Sequence, residues 1–114
     1  MSVRDIPEII TLCGSTKFKE QFLEVQRRLT LDGIIVVSCG LFTHADNEPT
    51  TEEQKKMLDE LHFSKIYLSD GIYVIDVGGY IGESTRREIE YAGKNGKFVR
   101  YYSKENLKRT GNEN

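Results

Sequence analysis

The sequence predicts an α/β fold, a three-layer Rossmann-like (flavodoxin-like) domain with a parallel sheet of about four strands. Short apolar runs alternate along the chain with segments of helical periodicity, and glycine or polar turns separate them. The runs are apolar at nearly every residue, which is typical of parallel strands covered on both faces. Right-handed crossovers between such strands lead us to expect the strand order 2-1-3-4.

A change of periodicity at Gly14 separates the first predicted strand from the first helix. Residues 8–13 (EIITLC) form a β-branched apolar run that stops there. Ser15 or Thr16 can then cap a helix to about Leu31, because apolar side chains recur at helical spacing opposite a polar face. The first crossover connection is therefore predicted to be helical.

A long connection follows the second strand and leads into the second helix. Residues 34–38 (IIVVS) predict a buried strand, whereas residues 39–49 show neither periodicity and exceed the usual loop length, which favours a lid or a binding loop. Thr50 and Glu53 have the spacing of a capping box for the next helix. The predicted apolar stripe of this helix, up to Ser69, consists of Met57, Leu58, Leu61, Ile66 and Leu68.

Two more strands and a helix complete one predicted domain. Residues 71–77 (GIYVIDV) form the third strand, residues 85–93 the third helix and residues 97–102 (KFVRYY) the fourth strand. We expect a single domain over residues 1–103 and a short, flexible C-terminal tail over residues 104–114.

Composition and charge limit the classes of function. The 114 residues carry 16 basic and 18 acidic side chains, a formal net charge of -2, so the sequence offers no overall basic surface for nucleic acid. It contains neither a signal-peptide core nor an apolar run of roughly 20 residues. We expect a cytoplasmic protein that binds neither nucleic acid nor membranes. Cys13 and Cys39 are then expected as reduced thiols, with a disulfide as the alternative if their strands are neighbours.

Polar residues gather at the carboxyl ends of strands one and three, which share one crevice in the expected strand order. Gly14 allows the backbone to approach a ligand, and Ser15 stands at a helix start whose unpaired N–H groups attract anions. Lys17 adds charge, but the Gly-x-x-x-x-Gly-Lys spacing of a P-loop is missing. This turn is therefore either an ordinary capped helix start or a phosphate-binding turn.

A second glycine-bearing turn follows strand three. Gly79 is one of three glycines in five positions, which is more than a turn needs, and Tyr80 can stack on a base or a sugar. Ser84 and Thr85 offer hydroxyl and N–H groups to an oxyanion. Asp76, near the end of the strand, is placed for a ligand hydroxyl.

Glu88 has two interpretations. It lies three residues after Thr85, so its carboxylate can complete a capping box at the Thr85 N–H, and spacing alone favours this cap. In the other interpretation the carboxylate faces the crevice and acts on a glycosidic bond as nucleophile or acid/base. His62, on the helix before strand three, either titrates in the crevice near neutral pH or packs among its neighbours.

The sequence predicts no metal centre. His44 and His62 are too few and too far apart to form a metal site with the two cysteines, and no spacing typical of metal ligands is recognisable.

Three short motifs combine over residues 9–101. They are Cys13-Gly14-Ser15 after the first strand, Ser69-Asp70 before the third strand, and Ser84-Thr85-x-x-Glu88-Ile89-x-Tyr91-Ala92 on the third helix. Together they resemble the nucleoside 2-deoxyribosyltransferase family, which includes the 2'-deoxynucleoside 5'-monophosphate N-glycosidase-like proteins.

The resemblance implies cleavage or transfer at the N-glycosidic bond of a 2-deoxynucleoside or its 5'-monophosphate. Glu88 matches the family's nucleophilic glutamate, which forms a covalent deoxyribosyl ester that a base or water resolves. Gly14, Ser15 and the turn of Ser84 and Thr85 match positions that hold the sugar 5' end or phosphate. The resemblance also implies no cofactor, a small nucleoside or nucleotide as partner, and a homo-oligomer.

Three positions depart from the family pattern. Thr11 stands in place of a tyrosine, His62 in place of an aspartate and Glu90 in place of a glycine. The aspartate assists at the ribose hydroxyl or the leaving base, so either His62 takes that role or the chemistry differs. Three functions remain open: an N-glycosidase or deoxyribosyltransferase with Glu88 and His62 as catalytic residues, a nucleotide-binding or sensing module that uses the same crevice, and a structural or partner-binding domain.

Overall fold

The computed structural model describes residues 6–105 and has the predicted α/β fold. The strands are β1 (Ile9–Gly14), β2 (Ile35–Val37), β3 (Gly71–Ile75) and β4 (Phe98–Tyr101), and the helices are α1 (Lys19–Leu31), α2 (Glu52–Leu68) and α3 (Glu83–Lys94). All pairings in the four-stranded sheet are parallel, and the order is β2-β1-β3-β4. The predicted fold class and strand order are confirmed.

The predicted chain ends are covered only in part. Residues 102–105 form a helical turn after β4, so the first two positions of the predicted tail belong to this turn. Residues 106–114 of the tail and residues 1–5 of the predicted domain lie outside the described residues. Among residues 6–105, no helix has the length and apolar composition that a membrane span requires.

The sheet separates two apolar cores, because side chains alternate between its faces along β1 and β3. The core beneath α1 consists of Ile10, Leu12, Phe22, Val25, Leu29, Tyr73 and Ile75. The core beneath α2 and α3 consists of Cys13, Ile66, Ile72, Val74 and Ala92. Helices therefore cover both faces of the two central strands, as the three-layer prediction requires.

Gly14 ends β1 where the chain turns towards the crevice. Its φ is +143°, and a Cβ atom on it would lie 2.8 Å from the Ile75 carbonyl oxygen of β3. Glycine avoids both the strained backbone and this contact, so β1 and β3 stay paired up to their last residues, Gly14 and Ile75. A 3-10 turn, Thr16–Phe18, follows before α1 begins at Lys19, a few residues later than predicted.

The capping box of α2 lies one residue later than predicted. The Thr51 N–H donates to Gln54 Oε1 at 2.9 Å, and the Gln54 N–H donates to Thr51 Oγ1 at 3.0 Å. Thr50 and Glu53 do not form this box, because the chain enters the helix at Thr51. Two adjacent threonines make the spacing pattern ambiguous, and the path of the preceding loop decides between them.

The apolar stripe of α2 is mostly exposed, and the predicted burial of the second strand is wrong in part. In α2, Ile66 is buried and Leu58 half-buried, whereas the other members of the predicted stripe are exposed, namely Met57, Leu61 and Leu68. The edge strand β2 is also less buried than predicted, since Ile35 is exposed. Periodicity identifies the apolar side of an element but not whether the chain supplies a partner to cover it.

Gly14→Ala is expected to lower the free energy of unfolding by about 2 to 4 kcal/mol. Alanine is strained at the positive φ of this position, and its Cβ atom clashes with the Ile75 backbone. Gly93→Ala is the matched control. Gly93 lies near the end of α3 with open space around its Cβ position, so alanine there should be neutral or stabilise the protein by up to about 1 kcal/mol. Urea denaturation of both variants checks this, and equal effects at the two positions would contradict it.

Candidate active site

A cavity of about 760 Å³ lies at the carboxyl ends of β1 and β3. Seven of the nine predicted site residues line it, namely Gly14, Ser15, His62, Tyr80, Ser84, Thr85 and Glu88. The long loop after β2, predicted as a lid or binding loop, lines it with Leu41, Thr43, His44, Asn47 and Glu48. The strand order therefore brings the two predicted turns to one crevice, and the loop borders it.

Asp76 and Gly79 are the two predicted site residues that do not line this cavity. Asp76 is buried, and its carboxylate oxygens accept hydrogen bonds from the Ser103 N–H at 2.8 Å and from the Ser103 hydroxyl at 2.7 Å. These bonds tie the end of β3 to the helical turn after β4, so the carboxylate is engaged within the protein. Gly79 lies in an exposed 3-10 turn with a φ of +82°.

The turn after β1 begins a 3-10 helix. Ser15 caps it and accepts a 3.4 Å hydrogen bond from the Lys17 N–H. Lys17 directs its ammonium group to Tyr80, with Nζ 3.8 Å from the centroid of that ring. The lysine thus occupies one face of the Tyr80 ring. Tyr80 and Phe18 also form an edge-to-face contact, with their ring centroids 5.9 Å apart. Stacking of a base on Tyr80 is therefore limited to the opposite face.

The start of α3 overturns the capping interpretation of Glu88. The helix begins at Glu83 rather than at Thr85, and its N-cap, Gly82, has no side chain to bond the first N–H groups. Those groups are left for water or an anion, and Ser84 and Thr85 both line the cavity there. Glu88 consequently lies in the second turn, where it forms no capping box with Thr85.

Glu88 instead belongs to a partly buried cluster with His62 and Cys13. Glu88 Oε1 lies 3.6 Å from His62 Nε2, which lies 3.3 Å from Cys13 Sγ. The candidate ligand atoms of all three residues lie within 4.8 Å of one another. The Glu88 and His62 side chains are only 14% and 13% exposed, and Cys13 is 1% exposed. The expectation that the histidines lie too far from the cysteines for a joint site is therefore wrong for His62 and Cys13.

Burial decides the ionisation of Glu88. Removal of the carboxylate from water raises the pKa of Glu88 to about 7. A hydrogen bond from the Cys13 thiol and the positive charge of Arg87 oppose this rise, whereas the negative charge of Asp59 adds to it. The carboxyl group is therefore only partly ionised at neutral pH.

The partners of Glu88 are also held neutral. Burial lowers the pKa of His62 to about 4, and the positive charge of Lys65 lowers it too. Burial raises the pKa of the Cys13 thiol well above its usual value, and the nearby Glu88 carboxylate raises it too. At neutral pH the contact between His62 and Glu88 is consequently not an ion pair, because the imidazole carries no charge.

Thr11 and Glu90, the other two residues at which the sequence differs from the family it resembles, lie away from the cavity lining. Thr11 is fully buried, and its hydroxyl bonds to the Ser69 hydroxyl and donates to the Lys65 carbonyl oxygen at 3.2 Å. Glu90 is exposed on α3. Of these three residues, His62 is the one that lines the cavity.

Cys13 is the functional candidate that the sequence analysis missed. Alternation along β1 places Cys13 and Thr11 on the face opposite Ile10 and Leu12. The strand pattern in the sequence therefore indicates which face of the sheet carries the Cys13 side chain. No local pattern, however, indicates which helical side chain meets it. His62 is 49 positions away in the chain, and only the packing of α2 on the sheet brings the two together.

Glu88→Gln is expected to stabilise the protein at about pH 8 and to leave its stability nearly unchanged at about pH 4.5. The pKa of Glu88 is about 7 in the folded protein and 4.5 in the unfolded chain, so the folded state binds this proton more tightly. The contribution of Glu88 to the free energy of unfolding therefore falls as the pH rises from 4.5 to 7, and the full loss, about 3 kcal/mol, persists above pH 7. Glutamine does not ionise and escapes this loss.

Urea denaturation across that pH range, in buffer with EDTA, measures the effect. Glu90→Gln is the control, because Glu90 is an exposed carboxylate on the same helix. His62 is present in all three proteins, so its own titration is shared. A stability difference between Glu88→Gln and wild type that is independent of pH would contradict the expected desolvation of Glu88.

Comparison of the chain with family models, with curated proteins and with solved structures found no match. The resemblance to the nucleoside 2-deoxyribosyltransferase family thus stays a prediction from short motifs. The functional proposal therefore depends on the cavity, the two turns that border it and the partly buried carboxyl group of Glu88.

Proposed function

We propose that this protein cleaves or transfers at the N-glycosidic bond of a 2-deoxynucleoside or its 5'-monophosphate, with Glu88 as the nucleophile. The observation that carries the proposal is the position of Glu88. Its carboxyl group borders a cavity of about 760 Å³ and is held in the second turn of a helix with an uncapped N-terminus. A partly buried carboxyl group that serves no cap and has a raised pKa is typical of a functional site.

In the first step, a Glu88 oxygen attacks the anomeric carbon while the bond from that carbon to the base nitrogen breaks. The electron pair leaves with the base, which takes up a proton, and a deoxyribosyl ester remains on Glu88. In the second step, water or another base attacks the anomeric carbon, the bond from that carbon to Glu88 breaks, and the attacking group gives up a proton to solvent. Two displacements at one carbon retain its configuration.

The remaining groups of the cavity fit the sugar and its 5' substituent. The N–H groups at the start of α3, with the hydroxyls of Ser84 and Thr85, suit a hydroxyl or phosphate oxygen. Gly14 and Ser15 border the same space from β1. His62 is a positioning residue in this scheme, because its neutral imidazole contacts the Glu88 carboxyl group at 3.6 Å and limits the orientations of that group.

The test is base release from 2-deoxynucleosides and from their 5'-monophosphates, followed by chromatography with and without an added acceptor base. Wild-type protein should release base, and Glu88→Gln should lower the rate by on the order of 10³-fold or more, because glutamine cannot form the ester. Glu90→Gln should retain the wild-type rate. Exchange with the added base marks a transferase, and release without exchange marks a hydrolase.

A nucleotide-binding module without turnover is the second candidate, and one observation favours it. The residue at the family's aspartate position, His62, contacts Glu88 and Cys13, so it is engaged within the protein instead of being free to assist at a ribose hydroxyl. Binding of a 2-deoxynucleoside 5'-monophosphate that persists in Glu88→Gln, together with no base release from wild type, would select this function and overturn the enzymatic one.

A further inference from the structure

We infer that Cys13, His62 and Glu88 form a three-ligand site for Zn²⁺, with the fourth coordination position open to the cavity. The inference stands on the geometry of the cluster and on the chemistry of its three donor atoms. It is independent of the proposed reaction, except that both would use the Glu88 carboxylate.

Two of the distances within the cluster match those between ligands of one tetrahedral ion. With bonds of about 2.3 Å to sulfur and about 2.0 to 2.1 Å to nitrogen or oxygen, neighbouring ligand atoms lie roughly 3.3 to 3.6 Å apart. Cys13 Sγ and His62 Nε2 are 3.3 Å apart, and His62 Nε2 and Glu88 Oε1 are 3.6 Å apart. The third pair, Cys13 Sγ and the Glu88 carboxylate, lies within 4.8 Å.

The donor set selects a zinc-like ion. Mg²⁺ and Ca²⁺ take oxygen ligands, whereas a thiolate, an imidazole and a carboxylate together suit Zn²⁺. Three protein ligands with one open position are typical of zinc sites that keep a place for water or another ligand. On binding, Zn²⁺ forms a bond to Cys13 Sγ, the thiol proton passes to solvent, and any proton on Glu88 is released as well.

The three ligands come from three elements that the core holds in place. Cys13 is on the central strand β1, His62 on α2 and Glu88 on α3, and Cys13 shares an apolar core with residues of both helices, Ile66 and Ala92. Ligands that helices and strands hold in place are positioned more precisely for an ion than ligands on loops.

The cavity provides both access and a place for the fourth ligand. His62 and Glu88 line it, and Cys13 lies behind them at 1% exposure. An ion therefore reaches the imidazole and the carboxylate first and then the thiol. With Zn²⁺ bound, the Glu88 oxygen is a metal ligand, so Zn²⁺ should inhibit base release reversibly. This last expectation rests on the proposed function.

The experiment titrates metal-free protein with Co²⁺, which replaces Zn²⁺ and reports its ligands by absorption, and with Zn²⁺ by calorimetry. Wild type should bind one ion per chain, with a Kd for Zn²⁺ on the order of 1 μM or below. The Co²⁺ complex should show thiolate-to-cobalt charge transfer and the visible bands of a tetrahedral ion. Wild-type protein without these bands and without heat of Zn²⁺ binding would overturn the proposal.

Matched variants assign the ligands. Cys13→Ser should abolish the charge-transfer band. His62→Asn and Glu88→Gln should each raise the Kd for Zn²⁺ by about tenfold to a hundredfold. The controls are Cys39→Ser and His44→Asn, because Cys39 and His44 line the same cavity outside the cluster. A band that survives in Cys13→Ser and disappears in Cys39→Ser would overturn the assignment. The thermal transition of each variant verifies that it is folded, and the wild-type titration remains decisive if Cys13→Ser is not.

The two proposals fail in distinguishable ways. Base release is measured in buffer that contains EDTA, so no metal is bound. The absorption of the Co²⁺ complex is measured without substrate. Cobalt bands without base release uphold the metal site and overturn the enzymatic proposal. Base release without cobalt bands upholds the enzymatic proposal and overturns the metal site.

Discussion

The pairing of β1 with β3 is the constraint on which the rest of the structure depends. The two strands run side by side over five register pairs, from Ile10 with Gly71 to Gly14 with Ile75, and helices cover both of their faces. The side chains along this pair are almost wholly removed from water. Because the strands are parallel and end together, the turns that follow them must emerge at the same edge of the sheet. The crevice is a consequence of this pairing.

One face of the central strands is less apolar than the other, and this asymmetry creates the site. Towards α1, β1 presents Ile10 and Leu12, whereas towards α2 and α3 it presents Thr11 and Cys13. Thr11 is satisfied by hydrogen bonds near the end of α2, and the thiol of Cys13 lies against His62 and Glu88. A carboxyl group packed there loses hydration, and the positive charge of Arg87 offsets only part of the resulting rise in its pKa. Such a group weakens the fold at neutral pH, and proteins generally tolerate that cost at sites of function.

The proposed reaction and the inferred metal site place incompatible demands on Glu88. A nucleophile needs a free oxygen lone pair directed into the cavity, whereas a metal ligand has that lone pair bound to the ion. Without metal, His62 limits the orientations of the carboxyl group through the contact of its Nε2 with Glu88, whereas in the metal-bound state that nitrogen is itself a ligand of the ion. Metal binding and covalent chemistry would therefore exclude each other, and the local concentration of zinc would set the fraction of active protein.

The sequence by itself determined the order of elements, the strand order and the two turns at the crevice. Each of these follows from short-range patterns, such as the apolar run before Gly14, and from the handedness of parallel crossovers. Tertiary structure alone decided that Asp76 bonds to Ser103, that the stripe of Met57 and Leu61 stays exposed, and that Glu88 forms no cap. It also decided the meeting of His62 with Cys13, across 49 positions of chain. Local patterns report which side of an element is apolar, whereas contacts between elements depend on how helices rotate and shift as their side chains pack, and no local pattern encodes that.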